Sequence, residues 1–250
     1  MTDVLRGPGT YRGLWSTTGH PAVLETAASL APDFVTIDLQ HGAGPGEIDT
    51  RTFTTLAHYG VPGLVRVAVN DPVAIGKALD LGAGGVIVPM VDSAADAAAA
   101  VASCRYAPDG VRSYGVQTPR IDPLVADRPL CAVQIETAAA VAAVDAIAAV
   151  DGVDWLYIGP ADLGLSLGGV PGDIESVVDG THPLSAEMYA AFEAVVAAAI
   201  RHGKVPGIHC NSGVAATVAA AAGFRASSVA TDIVAMRRDM ATQLAAARQV

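Results

Sequence analysis

Leu130–Asp162 reads LCAVQIETAAAVAAVDAIAAVDGVDWLYIGPAD. It opens on Leu130–Glu136, apolar until its last residue apart from Gln134. An alanine-rich stretch follows over Thr137–Ala149, and then a second apolar run, Trp155–Gly159. Runs that are apolar on both faces fit parallel strands buried on both sides. Alanine has the best helix propensity, so the stretch between them is a helix. The segment is a strand–helix–strand unit, and each of its strands ends near an acidic residue, Glu136 or Asp162.

The same unit recurs along the chain. Strand-like runs lie at Gly13–Thr17, Phe34–Leu39, Leu64–Val69, Gly85–Val91, Val205–Cys210 and Ala226–Thr231, besides the two just quoted. Helices are expected over Pro21–Leu30, Glu47–Tyr59, Pro72–Leu81, Ser93–Arg105, Ala186–His202, Gly213–Ala222 and Ile233–Arg248, besides Thr137–Ala149. Gly60, Gly82, Gly203 and Gly223 stand where a helix would end in a left-handed residue. Eight such units in 250 residues match one α/β domain, residues 1–250, folded as a closed (β/α)8 TIM barrel. The alternative is a doubly wound open sheet. That fold usually has fewer units, and no GxGxxG follows the first strand. Two stretches, Ala107–Arg128 and Leu165–Leu184, break the repeat and read as functional loops or tolerated insertions.

Bulk properties narrow the function. The net charge is −10 and no basic stripe exists, so nucleic acid is not an expected partner. Cys104, Cys131 and Cys210 lie far apart and lack CxxC spacing, which argues against a disulfide framework or a structural zinc site. The start, MTDVLRGPGTYRG, has no apolar core of a signal peptide, and no long uninterrupted apolar stretch suggests a membrane span. A soluble cytoplasmic protein is the default expectation.

A barrel places its active site at the C-terminal ends of its strands. Several polar groups sit there. Glu136 and Asp162 end consecutive strands, so their carboxylates should be neighbours. Two close carboxylates repel unless a cation joins them, and Mg²⁺ or Mn²⁺ is the natural choice. Each could instead cap a helix, as Gly-Pro-Ala-Asp resembles a helix entry. Arg66 lies within a strand and would bind a carboxylate or 2-oxo group, or pair internally with Asp38 or Glu136. Gln134 alternates with Glu136, so both face inward. His41 is the general-base candidate by position; a hydrogen-bonded core histidine is the other reading. His209 is also at a strand end. The two lysines, Lys77 and Lys204, fall in a helix and at the opposite barrel face, so Schiff-base chemistry lacks a nucleophile at the mouth.

These residues, in this order, resemble the HpcH/HpaI aldolases, the metal-dependent pyruvate aldolases. The matching stretches include Phe34–Gly42, Val61–Val67, Asn70–Pro72, Ala78–Ala83, Gly85–Val91, Arg112–Gly115, Val133–Thr137 and Ile158–Leu163, in register over about nine tenths of the chain. The resemblance implies a divalent metal (Mg²⁺, Mn²⁺ or Co²⁺) on Glu136 and Asp162, with Gln134 nearby. A 2-oxo acid, usually pyruvate, would chelate it, and the turn Gly159-Pro160-Ala161-Asp162 would hold the acid's carboxylate on N–H groups around Ala161 and Asp162. Arg66 would stabilise the enolate oxygen and the incoming aldehyde, and His41 would move protons. The activity implied is reversible cleavage of a 4-hydroxy-2-oxo acid to pyruvate, or a close 2-oxo acid, and an aldehyde. Rivals are an acyl-CoA lyase of the citrate lyase β-subunit type, for which Arg112, Arg120 and Arg128 would be the phosphate contacts, and oxaloacetate decarboxylation. A non-enzymatic binding module would have no use for this constellation.

Asp80 matches an acid that the family links to its catalytic histidine. Its place before a strand puts it far from its own mouth, so it is expected to reach a neighbouring subunit's site. The family also forms oligomers, commonly hexamers (trimers of dimers), that exchange a C-terminal helix, here Ile233–Arg248. Three departures stand out: Gln40 replaces a usual Glu beside His41, the segment between Arg112 and Gln134 is short, and His209 replaces an apolar residue at the aldehyde side.

Overall fold

The computed structural model describes residues 2–42, 48–115, 128–171, 174–175 and 184–248. Glu47, Arg120 and His182, and most of the two irregular stretches, lie outside the described residues. Eight parallel strands close a barrel in sequence order: β1 (Tyr11–Ser16), β2 (Phe34–Asp38), β3 (Gly63–Arg66), β4 (Gly85–Val88), β5 (Leu130–Ile135), β6 (Trp155–Ile158), β7 (Val205–Ile208) and β8 (Ala226–Thr231). β8 returns to β1 through a register shift between Gly13 and Leu14.

Around the barrel run α1 (Pro21–Ser29), α2 (Thr50–His58), α3 (Pro72–Asp80), α4 (Ala94–Cys104), α5 (Ala138–Ala142), α6 (Val144–Ala148), α7 (Pro160–Ser166), α8 (Ala186–Arg201), α9 (Gly213–Ala221) and α10 (Asp232–Ala247). Most of the strands stop one to three residues short of the sequence expectation, because the chain turns away from its neighbour at the mouth. The single helix expected over Thr137–Ala149 is divided at Ala143, whose φ −97° and ψ 3° leave helical geometry. The four glycines expected at helix C-termini all take positive φ.

Two cores hold the fold. One lies between strands and helices and is aliphatic. The other fills the barrel and is unusually aromatic for this architecture, whose interiors favour branched aliphatics. Tyr11, Trp155, Tyr157 and Trp15 stack along it at successive centroid distances of 6.3, 6.4 and 6.1 Å. Their bulk is met by small residues opposite: a Cβ at Gly207 would lie 2.5 Å from the Tyr157 ring. A 3-10 helix, Thr2–Arg6, closes the N-terminal end, where the Leu5 carbonyl accepts from Trp155 Nε1 at 2.9 Å. The last ring of the stack, Trp15, is the floor of the opposite end. Among the described residues no helix is long and apolar enough to cross a membrane.

Candidate active site

The C-terminal mouth holds a pocket of about 560 Å³. His41, Arg66, Gln134, Glu136, Gly159, Pro160, Ala161, Asp162 and His209 all line it, brought from β2, β3, β5, β6 and β7. Asp80 does not. It ends α3, at the other end of the barrel, where Arg112 Nη2 donates to its Oδ1 at 2.8 Å. Neither lysine lines the pocket; Lys204 Nζ donates to the Val150 carbonyl.

Glu136 follows β5 directly and is buried. Its Oε1 accepts the Met90 N–H at 2.7 Å and its Oε2 accepts Gln134 Nε2 at 3.1 Å. The chain passes so close at Gly159 that a Cβ there would lie 2.4 Å from Oε2. Burial pushes the Glu136 carboxyl above its usual range; the Met90 N–H pulls down, but the charges of Asp162 and Asp92 push up again. Met90, which donates to Glu136, has a backbone φ of 54°, a left-handed conformation that a side chain disfavours. Such strain at a site is held by the surrounding structure and points to function.

Asp162 lies in the first turn of α7, whose N-cap is Gly159, so the capping reading of Asp162 fails. Gly159 offers no side chain to the first N–H groups of α7, whereas Asp49, Asp71, Ser93, Thr137, Ser185 and Ser212 each cap their own helix. The start of α7, on the pocket wall, therefore carries no side-chain cap.

The donor set tests whether a metal fits. Three carboxylates line the pocket; Asp38 is paired with Arg66, which leaves Glu136 and Asp162, and Gln134 Oε1 is buried with no hydrogen-bond partner among the described residues. All are hard oxygen donors. Among the described residues no three His, Cys, Asp or Glu side chains gather in one place. That set suits Mg²⁺ or Mn²⁺, which take one or two carboxylates and complete their shell with water or substrate oxygens. It does not suit zinc, which prefers nitrogen and sulfur ligands.

Arg66 answers the question its position posed: it pairs with Asp38, not Glu136. Nε donates to Oδ1 at 2.9 Å and Nη2 to Oδ2 at 2.5 Å. Trp15 Nε1 donates to the same carboxylate at 3.3 Å, and the guanidinium carbon stands 5.1 Å from the Trp15 ring centroid. Burial pushes the Asp38 carboxyl up, but Arg66 and the His41 and Gln40 N–H groups outweigh it and hold it below its usual range. Asp38 thus orients Arg66 and also shapes the turn that carries His41. Among the described residues Arg66 Nη1 has no protein acceptor, leaving it for a ligand.

Sequence reasoning missed Trp15 and the Met90 N–H. The inward alternation Tyr11, Gly13, Trp15 on β1 signals the first. Nothing in the sequence signals the second, since a backbone group carries no residue code.

A family model described as HpcH/HpaI aldolase/citrate lyase matches residues 12–243. A hydroxypyruvate/pyruvate aldolase from Rhizorhabdus wittichii is 37% identical over 232 residues, covering 90% of this chain and 86% of that protein. A 4-hydroxy-2-oxo-heptane-1,7-dioate aldolase from Salmonella typhimurium is 32% identical, covering 82% and 78%. The crystal structure of an HpcH/HpaI aldolase/citrate lyase family protein from Burkholderia cenocepacia superposes with TM-score 0.84 at 31% identity, over 99% of this chain and 100% of that one. A matched model across most of the chain, a matched barrel and curated relatives above 30% identity agree: the chain belongs to the HpcH/HpaI aldolase/citrate lyase family.

Proposed function

We propose that the chain is a divalent-metal-dependent aldolase that reversibly cleaves a 4-hydroxy-2-oxo acid to pyruvate, or a close 2-oxo acid, and an aldehyde. Its family generally depends on a divalent metal, and the relatives named above are aldolases of 2-oxo acids. The observation that carries the reading is the uncompensated charge at the mouth. Glu136 and Asp162 face one pocket, while the nearest guanidinium, Arg66, is spent on Asp38.

Glu136 and Asp162, with Gln134 Oε1 beside them, would hold the metal. When bound, it supplies Lewis acidity to the keto group of the 2-oxo acid. The protein does the rest. The open N–H groups of α7 around Ala161 and Asp162 hold the acid's carboxylate. Arg66, fixed by Asp38 and Trp15, presents Nη1 to the oxygen on which charge develops as a proton leaves the methyl carbon. His41, exposed at the rim, moves protons between that carbon, the aldehyde oxygen and solvent. The barrel floor of Trp15 keeps water from below.

Assembly belongs to this proposal. No residue of α10 is buried, and Met236, Met240 and Leu244, four residues apart, lie exposed along one face. A helix with an exposed apolar stripe fits exchange between copies of this chain in a hexamer, a trimer of dimers. Asp80 would then supply its Oδ2 to a neighbour's His41.

The test is direct. Protein treated with EDTA should bind Mn²⁺ by calorimetry and regain aldol turnover with Mg²⁺, Mn²⁺ or Co²⁺. Full turnover after exhaustive chelation would overturn the reading.

A further inference from the structure

The turn after β4, residues 89–93, is tied to the end of β5 at three consecutive positions. The Met90 N–H donates to Glu136 Oε1 at 2.7 Å, the Val91 N–H donates to the Gln134 carbonyl at 3.4 Å, and Asp92 Oδ1 accepts from Thr137 Oγ1 at 2.5 Å. Thr137 is itself anchored, because its Oγ1 accepts the Ala140 N–H at 2.9 Å and caps α5. One hydroxyl thus accepts from a helix and donates to Asp92. Met90 lies between β4 and these anchors with its φ of 54°. Its side chain is 51% exposed, so burial offers little to offset that conformation. Bonds on either side must hold it.

We infer that Asp92 is a positioning residue: by gripping Thr137 it locks the turn that sets the Met90 N–H on Glu136, and so fixes the direction in which Glu136 offers its oxygens to the metal. Upstream of Met90, β4 is paired with β5 as far as Val88↔Val133. Downstream, the Val91 bond is long, which leaves the Asp92–Thr137 bond as the stronger anchor. Release of that anchor frees Met90 to return to an ordinary φ. With the turn locked, Glu136 has a donor on each oxygen, Met90 on Oε1 and the Gln134 amide on Oε2. Two donors stop the carboxyl plane from turning about its last bond, and its remaining lone pairs keep one direction. The Asp92 charge also reaches Glu136 and helps to push its carboxyl up. Placement must therefore be separated from charge. The affinity half of this inference rests on the proposed metal site; the placement half does not.

The experiment has two arms. In the first, metal-free protein labelled with ¹⁵N-methionine gives an amide signal for Met90, assigned from the signal lost in Met90→Leu. In the wild type this proton should exchange slowly with deuterium although the residue is exposed, because a carboxylate holds it. In Asp92→Ala the signal should shift and its exchange should quicken by about tenfold, the scale of one lost hydrogen bond to a charged group. In the second arm, calorimetry with Mn²⁺ should show binding weakened by a similar factor in Asp92→Ala. Asp92→Asn keeps an acceptor for Thr137 and loses the charge, so both readouts should stay near the wild type. A freely exchanging Met90 amide in the wild type overturns the inference with no variant needed. An equal loss of Mn²⁺ affinity in Asp92→Asn and Asp92→Ala, with the Met90 signal unmoved in both, assigns the effect to charge and also overturns it. Should Asp92→Ala fail to fold, Thr137→Val against Thr137→Ser makes the same comparison, since only the first removes the hydroxyl. A wild type that binds no Mn²⁺ overturns the metal reading and the affinity half together, while the exchange rates still decide the placement.

Discussion

Two buried carboxylates sit at opposite ends of the same barrel and are treated in opposite ways. Asp154 precedes β6 at the closed end. It accepts from Arg6 Nε at 2.8 Å, Arg6 Nη2 at 3.2 Å, Arg128 Nη2 at 3.3 Å and the Cys131 N–H at 3.0 Å. Glu136 follows β5 at the open end and, among the described residues, accepts only the Met90 N–H and the Gln134 amide. One charge is matched by guanidinium groups inside the chain. The other is left to repel Asp162. A buried charge without a partner is costly, so a fold that keeps one keeps it for a ligand. The closed end serves stability and the open end chemistry, as barrels generally divide these tasks.

The sharpest way to break this contrast is to neutralise each acid in turn. Glu136→Gln should lower turnover by about a thousandfold, the scale on which electrostatic stabilisation of developing charge is lost, and should abolish Mn²⁺ binding. It should leave the metal-free fold as stable or more so, because a repelled carboxylate is gone. Asp154→Asn should do the reverse. It removes the buried carboxylate that Arg6 and Arg128 share, leaving Arg6 to the exposed Asp3 and the Arg128 carbonyl, and should cost about 2 kcal/mol in urea unfolding, while kcat per folded molecule is kept. Equal effects of both substitutions on both readouts would erase the distinction.

Part of this division is legible in the sequence. The repeat of apolar runs and alanine-rich helices shows the barrel, because parallel strands buried on both faces cannot hide their composition. The mouth residues follow from strand ends, so Glu136, Asp162, Arg66, Gln134 and His41 can be named from order alone. Pairing is what a linear pattern leaves open. Arg66 has two carboxylates within plausible reach, and only the register Asp38↔Arg66 between β2 and β3 decides for the first. Nor does the pattern join Asp154 to Arg6, which are 148 residues apart. The strained Met90 depends on a backbone angle, which a one-dimensional pattern does not encode.

The pH response sharpens the comparison further. Glu136 has a folded pKa above its unfolded value near 4.5. Its contribution to stability is therefore full below the unfolded value and is lost as pH rises through the folded one. Metal-free wild type should lose Tm relative to Glu136→Gln across that window. Saturating Mn²⁺ should remove the loss and raise Tm, because a ligand of the native state stabilises it by mass action. A Tm difference that ignores both pH and Mn²⁺ would mean that Glu136 is not the repelled group.

A third carboxylate shows that the mouth can also satisfy an acid, but without cations, and it predicts the smallest effect. Asp232 accepts from Ser16 Oγ at 2.8 Å, Thr17 N–H and Oγ1 at 3.0 and 2.7 Å, and Thr18 N–H and Oγ1 at 3.1 and 2.8 Å. Burial raises its pKa, yet these bonds outweigh it and bring the group down to about 2. It ties the start of α10 to the turn after β1, where Thr17 lines the pocket. Because the folded pKa is depressed below 3.8, the stability it contributes is present above that value and is lost as pH falls toward 2. Asp232→Asn should cost about 1 kcal/mol at neutral pH once solvent screening of this half-exposed group is allowed for, and the difference from wild type should vanish in acid. Neutral donors hold this carboxylate where guanidinium groups hold Asp154. Added salt should therefore weaken the Asp154 anchor, at its exposed Arg128 arm, more than the Asp232 anchor. A salt-sensitive Asp232 would show that a charge outside the Ser16–Thr18 turn holds α10 in place.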